Sequence, residues 1–396
     1  MVSQINYRKT LLACYLGFVT QAISANFAPL LFLTFKSTYG IPLEKIAMIP
    51  LVFFMTQILV DFAATKFADR IGYRKCVVVS QAVSAAGLAL LAILPNLFPS
   101  PFIGILTCVV LYAMGAGLIE VLISPIVEAC PFENKDGMMS LLHSFYCWGC
   151  VGVILGSTLF FAIFGVENWR ILALIWAIIP LYNTFNFISC PIERLVEDGE
   201  GMRMGQLLRM PLFWLMALLM VCSGASEISM AQWASAFTES AMGVTKTIGD
   251  LAGPCLFAVL MGIARVYYGK MSEKLDLTRT MLGCGALCLL CYLLASLSSS
   301  AVLGLLGCAL CGLSVGVMWP GTLSISAQKC PKGGTVMFAL LALAGDLGGS
   351  VGPSLVGSIA GMAEGNLKYG LLFGAIFPIL LIIGLLFLKK RMKAVG

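Results

Sequence analysis

Charged side chains are scarce in this chain of 396 residues: Asp, Glu, Lys and Arg together make up 11%, and there is one His. Soluble domains carry about 25% charged residues. The hydrophobic fraction is 60%, and the mean hydropathy is +0.97. A water-soluble fold cannot hide so much apolar surface, so we expect lipid to cover it. The composition therefore excludes a soluble enzyme, a disordered scaffold and a nucleic-acid-binding protein.

The sequence also lacks the patterns of catalytic and cofactor sites. It has no phosphate-cradling glycine loop with a Lys, no nucleotide domain and no metal cluster. The 15 Cys lie mostly inside apolar runs. The CxxC pairs Cys147/Cys150 and Cys308/Cys311 have no further ligands at metal spacing, so we expect these thiols to be packing residues. We predict no enzyme activity, no cofactor and no metal.

Long apolar runs are abundant. A membrane helix needs about 20 mostly apolar residues, and twelve runs have that length. They predict an all-α membrane protein with twelve transmembrane helices, at 11–35, 44–66, 76–95, 101–128, 138–164, 170–189, 211–238, 248–271, 279–298, 301–328, 334–362 and 368–388. The first run lacks a small-residue cleavage site, so we expect a retained helix rather than a signal peptide.

The basic residues predict the orientation of these helices. With the amino terminus in the cytoplasm, nineteen of the 25 Lys and Arg fall on the cytoplasmic side, five on the other side and one within a run. Cytoplasmic loops carry an excess of Lys and Arg. We therefore expect a multi-pass protein of the cell membrane with both termini in the cytoplasm.

Two related halves make up the chain. The longest polar connection predicts a cytoplasmic linker at 191–210, between six-helix bundles at 1–190 and 211–396. When the two halves are aligned with an offset of 204 residues, Asp61 corresponds to Arg265. The same offset pairs Lys66 with Lys270, Asp69 with Glu273 and Arg70 with Lys274, and an offset of 200 pairs Cys130-Pro131 with Cys330-Pro331. Parallel repeats of six spans are typical of secondary transporters, with the substrate between the halves.

Three acids lie deep inside apolar runs: Glu120 in the fourth, Glu227 in the seventh and Asp346 in the eleventh. An ionisable side chain at such a depth is costly and is a candidate for function. An apolar environment disfavours the carboxylate, which can then take up a proton. We predict that these three acids couple transport to protons.

Amides and aromatic rings accompany these acids, and they suit a sugar, which presents several hydroxyl groups and flat C–H surfaces. The predicted substrate contacts are Gln21, Asn26, His143, Tyr146, Gln232, Trp233 and Trp319. Each of these side chains could instead join neighbouring helices. Anionic substrates would need an Arg or Lys at mid-depth, and the sequence predicts none there.

One motif, Asp61…Asp69-Arg70-x-Gly72-x-Arg74-Lys75, resembles the cytoplasmic signature between the second and third helices of the major facilitator superfamily. Thr65 stands where that family usually has Gly. The resemblance implies a fold of two pseudo-symmetric six-helix bundles. Its acids can pair with basic helix ends and hold the cytoplasmic side closed. The predicted gate consists of Asp61, Asp69, Arg70, Arg74, Arg265, Glu273 and Lys274.

A second group of motifs resembles fucose-permease-like sugar symporters. These motifs are Glu120-x-x-x-Ser124-Pro125, Cys130-Pro131 and Leu141-Leu142-His143-Ser-Phe145-Tyr146-x-x-Gly149. The resemblance implies uptake of fucose, galactose or glucose coupled to protons or sometimes sodium, with Glu120 as the coupling acid and His143 and Tyr146 at the sugar. That family usually has Asn where Ser124 stands. The fucose permease also has an acid in its first helix, where this chain offers Gln21 and Asn26.

The sequence therefore predicts a monomeric secondary active transporter that takes up a hexose or deoxyhexose with protons by alternating access. Two alternatives stay open: a proton-coupled exporter of drugs or metabolites, and a sodium-coupled sugar symporter. Glu227 with Ser223, Ser226 and Ser229 could supply part of an oxygen cage for sodium. A receptor or scaffold that transports nothing is a third alternative, although it needs no buried acids.

The predicted topology can be tested at the carboxyl terminus. In a variant whose other Cys are replaced, Ala394→Cys should react with a membrane-impermeant maleimide only after the cells are permeabilised, because the terminus is expected inside. Strong labelling of sealed, right-side-out cells would contradict the topology.

Overall fold

A computed structural model describes residues 6–41, 45, 48–193, 195, 201–242, 251–363 and 366–395. These residues contain no strand and include twelve helical segments long and apolar enough to cross a membrane, so the all-α, twelve-span prediction is confirmed. We number them α1 (Arg8–Leu30), α2 (Met48–Ile71), α3 (Tyr73–Leu91), α4 (Pro101–Ala129), α5 (Lys135–Phe164), α6 (Val166–Ser189), α7 (Pro211–Ala234), α8 (Ala252–Lys274), α9 (Leu277–Leu297), α10 (Val302–Lys329), α11 (Pro331–Met362) and α12 (Leu367–Lys390).

Several spans contain breaks that the apolar runs did not reveal. The first predicted run is divided between two helices, Arg8–Leu30 and Phe32–Tyr39. Span α10 likewise consists of Ala301–Val315 and Met318–Lys329. Pro320 lies in the first turn of the latter helix, where backbone N–H groups have no partner within the helix, so the missing N–H costs nothing there.

Other spans begin or end with short irregular turns. Span α8 starts with a π-helical turn at Leu251–Cys255 and ends with the 3₁₀ turn Ser272–Lys274. Span α12 divides into Leu367–Gly374 and Ile376–Val395, and the helix of α7 continues to Met242. The predicted starts of the second and eighth spans, at 44 and 248, lie outside the described residues, as do 194 and 196–200 of the predicted linker.

The chain forms two compact units. The first comprises 1–131, 148–201 and 334–339, and the second comprises 132–147, 202–333 and 340–396. In the first unit α3 packs on α4 and α6, α4 packs on α1 and α2, and α1 packs on α6. In the second, α9 packs on α10 and α12, α10 packs on α7 and α8, and α7 packs on α12. These are the same pairs shifted by six helices, as a repeated plan predicts. The boundaries predicted at 190 and 211 stay a prediction.

The glycine of the superfamily-like signature has a conformational reason. Gly72 joins α2 to α3 with φ 92° and ψ 140°. A side chain at such a positive φ strains the backbone, so the turn favours Gly. Its N–H donates to the carbonyl of Ala68 (2.9 Å), and its carbonyl accepts from the N–H of Cys76 (3.2 Å), so the turn continues both helices without a gap.

Glycines also allow α7 and α11 to approach backbone to backbone within the second unit. A Cβ atom on Gly224 would overlap the carbonyl oxygen of Gly345, and one on Gly348 would overlap the carbonyl oxygen of Val221. A Cβ atom on Gly352 would come within 2.9 Å of the Cα of Ala225. Small residues let helices pack closely in lipid, where no hydrophobic force drives them together.

We expect Gly224→Ala to destabilise the second unit by about 1–3 kcal/mol, because the new methyl group meets fixed backbone rather than a movable side chain. The measurement is the thermal unfolding midpoint of the purified protein in detergent. Gly283→Ala on α9 is the control, since a Cβ there meets no atom within 4 Å. Equal midpoints for the two variants would show that the close approach is not required.

Candidate functional site

Glu120 on α4 accepts hydrogen bonds from two amides of other helices. Its Oε2 lies 2.7 Å from Nε2 of Gln21 on α1 and 3.2 Å from Nε2 of Gln57 on α2. Gln21 and Gln57 are buried, and Glu120 is half-buried. A carboxylate is an acceptor-only group when ionised, and two N–H donors on one oxygen satisfy much of its charge. The first unit thus holds one deep acid in a cradle of neutral amides.

A second acid belongs to the same contact between α2 and α4. Asp61 lies one helical turn after Gln57 and is fully buried, at 0% exposure. A Cβ atom on Gly117 of α4 would be 3.3 Å from Oδ1 of Asp61, and Gly117 lies one turn before Glu120. We call Gln57, Asp61, Gly117 and Glu120 the α2–α4 interface. It contains two acids that the sequence assigned to different tasks.

The second unit contains a buried ion pair. Nη2 of Arg265 on α8 lies 3.1 Å from Oε2 of Glu227 on α7, and the two side chains are 3% and 10% exposed. Glu227 was predicted to carry protons, and Arg265 was predicted to belong to the gate. The structure places them together, so the charge of each is balanced by the other.

Arg265 uses its remaining donors to join further helices of that unit. Nε donates to the carbonyl of Gly316 on α10 (2.9 Å), and Nη1 donates to the carbonyl of His143 on α5 (3.0 Å) and to Sγ of Cys147 (3.1 Å). The backbone carbonyl of Arg265 accepts from Oγ of Ser140 (2.8 Å). A guanidinium has five N–H donors in a fixed plane, so this network sets the orientation of Arg265.

The predicted substrate contacts fall in both units: Gln21 and Asn26 in the first, and the other five in the second. Nδ2 of Asn26 bonds the carbonyl of Ala22 (2.9 Å) and lies 3.3 Å from Sγ of Cys150. Nε1 of Trp233 donates to the carbonyl of Pro353 on α11 (3.0 Å). These two residues therefore join helices in this structure, and their part in substrate binding stays a prediction.

The other candidates have different surroundings. Trp319 of α10 lies flat against Gly345 of α11, where a Cβ atom would overlap the indole ring. Asp346, the next residue, is half-buried, and so is Tyr146. His143 is buried, with 6% exposure, and Gln232 is exposed. The described residues contain no group of three His, Cys, Asp or Glu placed to hold a metal ion.

The seven predicted gate residues separate into two classes. Asp61 and Arg265 are buried within α2 and α8, whereas Asp69, Arg70, Arg74, Glu273 and Lys274 are exposed near helix ends. Nη1 of Arg74 donates to the carbonyls of Phe187, Ile188 and Cys190 at 2.8–3.0 Å. Arg74 thus caps the last turn of α6, which leaves carbonyls without partners.

Sequence patterns missed several polar contacts. The hydroxyl of Tyr73, at the start of α3, bonds that of Thr335. Oδ1 of Asn134 accepts from the N–H of Gly137 (2.8 Å) and from Oγ of Ser272 (2.8 Å). Gln57 was detectable as an amide in an apolar run. The others are ordinary polar residues near helix ends, and nothing in their spacing marks them.

Two copies of one six-helix plan, each with buried charge inside apolar spans, define a multi-pass membrane protein of the transporter type. The sequence model of the Major Facilitator Superfamily matches residues 13–353 and 256–394. The chain belongs to this superfamily. None of the curated protein sequences is a significant match.

Solved structures of other transporters share the fold at low sequence identity. The E. coli fucose:proton symporter FucP is 14% identical, with a TM-score of 0.79 over 96% of this chain and 98% of that one. The proton:xylose symporter XylE is 11% identical, with a TM-score of 0.82 over 97% and 95%. The human organic anion transporter MFSD10 is 16% identical, with a TM-score of 0.71 over 96% and 100%. At such identities the likeness shows the fold alone.

We expect Glu227→Gln and Arg265→Gln each to destabilise the protein by about 3–5 kcal/mol, because each leaves a buried charge without its counter-charge. The double variant should lose less than the sum of the two, because it leaves neither charge behind. Thermal unfolding of the three purified variants measures the coupling. Strict additivity would show that the two residues do not act as a pair.

Proposed function

We propose that this transporter takes up a neutral sugar, a hexose or deoxyhexose, together with protons. The observation that carries the proposal is the cradle of Glu120, in which Gln21 and Gln57 hold a deep carboxyl group. The two amides are neutral and compensate the charge of a carboxylate less than a cation would, which suits a group that gains and loses a proton. The same amides are suitable partners for sugar hydroxyls.

Glu120 and Glu227 have different partners, which supports different roles for them in this proposal. Glu227 faces the guanidinium of Arg265, and a proton on Glu227 would leave that cation buried without its anion. Uptake of a proton is therefore cheaper at Glu120. In this proposal Glu120 is the principal coupling acid, Glu227 holds Arg265, and Asp346 is a third candidate on α11.

The substrate class is supported by two kinds of observation. The contacts proposed from the sequence are amides, aromatic rings and one imidazole, which match a hydroxyl-rich molecule. FucP and XylE, which share the fold, are described as a fucose:proton symporter and a proton:xylose symporter. The same fold also carries an organic anion transporter, so it does not choose the substrate. Arg265, the buried base among the described residues of α7–α10, is balanced by Glu227, which argues against a free cationic site for an anion.

The ion pair of Glu227 with Arg265 argues against a sodium site at Glu227. A sodium ion there would compete with the guanidinium of Arg265 for the carboxylate of Glu227. An oxygen cage around Glu227 would therefore require its contact with Arg265 to break. The remaining parts of the proposal are a monomer in the cell membrane, termini in the cytoplasm, and a cytoplasmic gate that includes Asp69 and Arg70.

Purified protein in liposomes tests the substrate and the direction together. Uptake of labelled fucose, galactose, glucose and xylose is measured with an imposed proton gradient, with a sodium gradient and with neither. We expect accumulation of one of these sugars with the proton gradient only. Sugar-independent transport of an organic anion, or efflux of a hydrophobic cation against protons, would contradict the proposal in favour of an exporter.

We expect Glu120→Gln to abolish accumulation driven by a proton gradient while exchange of labelled for unlabelled sugar continues, because the amide imitates the protonated acid but cannot release its proton. Both rates are measured in the same liposomes. Glu133→Gln is the control, since Glu133 is exposed outside the spans. Full accumulation by Glu120→Gln would remove Glu120 from the coupling role.

A further inference from the structure

Asp61 and Arg265 occupy equivalent places in the two repeats. They are related by the offset of 204 in the sequence, on the second helix of each repeat. Both are buried, with 0% and 2% exposure. Asp61 faces Gly117 of α4, and Arg265 bonds the carbonyl of Gly316 of α10. Positions 117 and 316 are 199 residues apart. This separation is one less than the offset of 200 that pairs the Cys-Pro motifs at the ends of the same two helices.

The two residues differ in chemistry at this shared place. An Arg keeps its proton under all conditions in a protein, and Arg265 is held by Glu227 and by two backbone carbonyls. An Asp can gain and lose a proton. The second repeat therefore carries a permanent, paired charge where the first repeat carries a titratable one.

The α2–α4 interface brings Asp61 close to the coupling acid. Gln57, which donates to Glu120, lies four residues before Asp61 on α2. Gly117, which faces Asp61, lies three residues before Glu120 on α4. One helical turn rises about 5.4 Å. Along the axes of α2 and α4, the carboxyl groups of Asp61 and Glu120 therefore lie within roughly one turn of each other.

Few other ionisable groups lie on α3 and α4, the two helices that make the most extensive contacts with α2. Besides Glu120, they are Cys108, Tyr112 and Glu128 on α4 and Tyr73, Arg74, Lys75 and Cys76 on α3. On α2 itself Lys66, Asp69 and Arg70 follow and are exposed. On α4, Glu120 is the acid closest in sequence to Gly117, which faces Asp61, and exposed charges begin one to two turns after Asp61 on α2.

We propose that Asp61 is a second proton-carrying group, which receives the transported proton from Glu120 and releases it at the end of α2 that carries Asp69. The inference rests on the proposed coupling role of Glu120. In the step, the O–H bond of protonated Glu120 breaks and a new O–H bond forms on a carboxylate oxygen of Asp61, directly or through one water. Glu120 becomes the carboxylate under its two amides, and the pair keeps one proton and one negative charge.

This step explains why two acids share one buried interface. Two carboxylates that share an apolar environment resist ionising together, so in this proposal the pair carries one proton. In this proposal the amides of Gln21 and Gln57 stabilise the carboxylate that Glu120 becomes when its proton passes to Asp61. Asp61 loses that proton when water reaches the end of α2, and the cycle can begin again.

Infrared difference spectroscopy of the purified full chain tests the proposal without a substrate. Spectra recorded across a pH titration show the C=O stretch of protonated carboxyl groups. Exchange into deuterium oxide shifts the frequency of this band and so identifies it. We expect a band at neutral pH that Asp61→Asn removes and Asp61→Glu retains at a shifted frequency. Glu120→Gln should keep the band but change the pH at which it titrates, because the coupled partner is gone. Thr65→Ala, one turn further on α2, is the control.

Transport assays then separate this inference from the proposed function. If the wild-type protein takes up sugar with protons, Asp61→Asn should lower that rate by about 100-fold and spare sugar exchange, as expected for a lost proton-transfer group. If no sugar is transported, the proposed function fails, but the infrared band still decides the role of Asp61. A band that persists in Asp61→Asn would overturn the inference.

Gly117→Ala provides a variant that leaves both acids in place. Its methyl group would lie 3.2 Å from Cβ of Val60 and 3.3 Å from Oδ1 of Asp61, so it should displace the carboxyl group and shift the titration of the Asp61 band. Gly152→Ala is the matched control, since a Cβ there meets no atom within 4 Å. An unchanged titration in Gly117→Ala would contradict the placement of Asp61 at this interface, and size-exclusion profiles confirm that each variant is folded.

Discussion

A charge placed in an apolar medium must be balanced, and Glu227 and Glu120 meet that requirement in different ways. In the second unit Arg265 and Glu227 neutralise each other. In the first unit Glu120 receives neutral N–H donors from Gln21 and Gln57. The ion pair resists any change of protonation, whereas the amide cradle tolerates one. The division between a fixed site and a titratable site follows from this difference in partners.

The acid with neutral partners and the ion pair lie in two repeats of one six-helix plan. The same helix pairs form in each unit, so equivalent residues meet equivalent neighbours. Asp61 and Arg265 both lie beside a glycine on the fourth helix of their repeat. An acid stands at this place in one repeat and a base in the other, while the same helix pairs form in both. In our proposal one repeat holds structure while the other handles protons, which is the basis of our inference about Asp61.

Much of the fold could be predicted because it follows from hydropathy averaged over about 20 residues, the length that crosses a bilayer. All twelve spans were found in this way. The glycine of the signature was also meaningful in sequence, since Gly72 adopts a positive φ. Breaks such as those at Leu31 and at Gly316–Val317 were not visible, because an interruption of one or two residues hardly alters the average hydropathy of a run.

The sequence by itself determined how many helices cross the membrane and which side chains are costly there, because both depend on the residue types in a single run. Only the tertiary structure decided the partners. Glu227 and Arg265 are 38 positions apart, and Gln21 and Glu120 are 99 apart. Whether an acid is paired with a cation or cradled by amides depends on which faces of distant helices meet, and the hydropathy of each run is the same in either case.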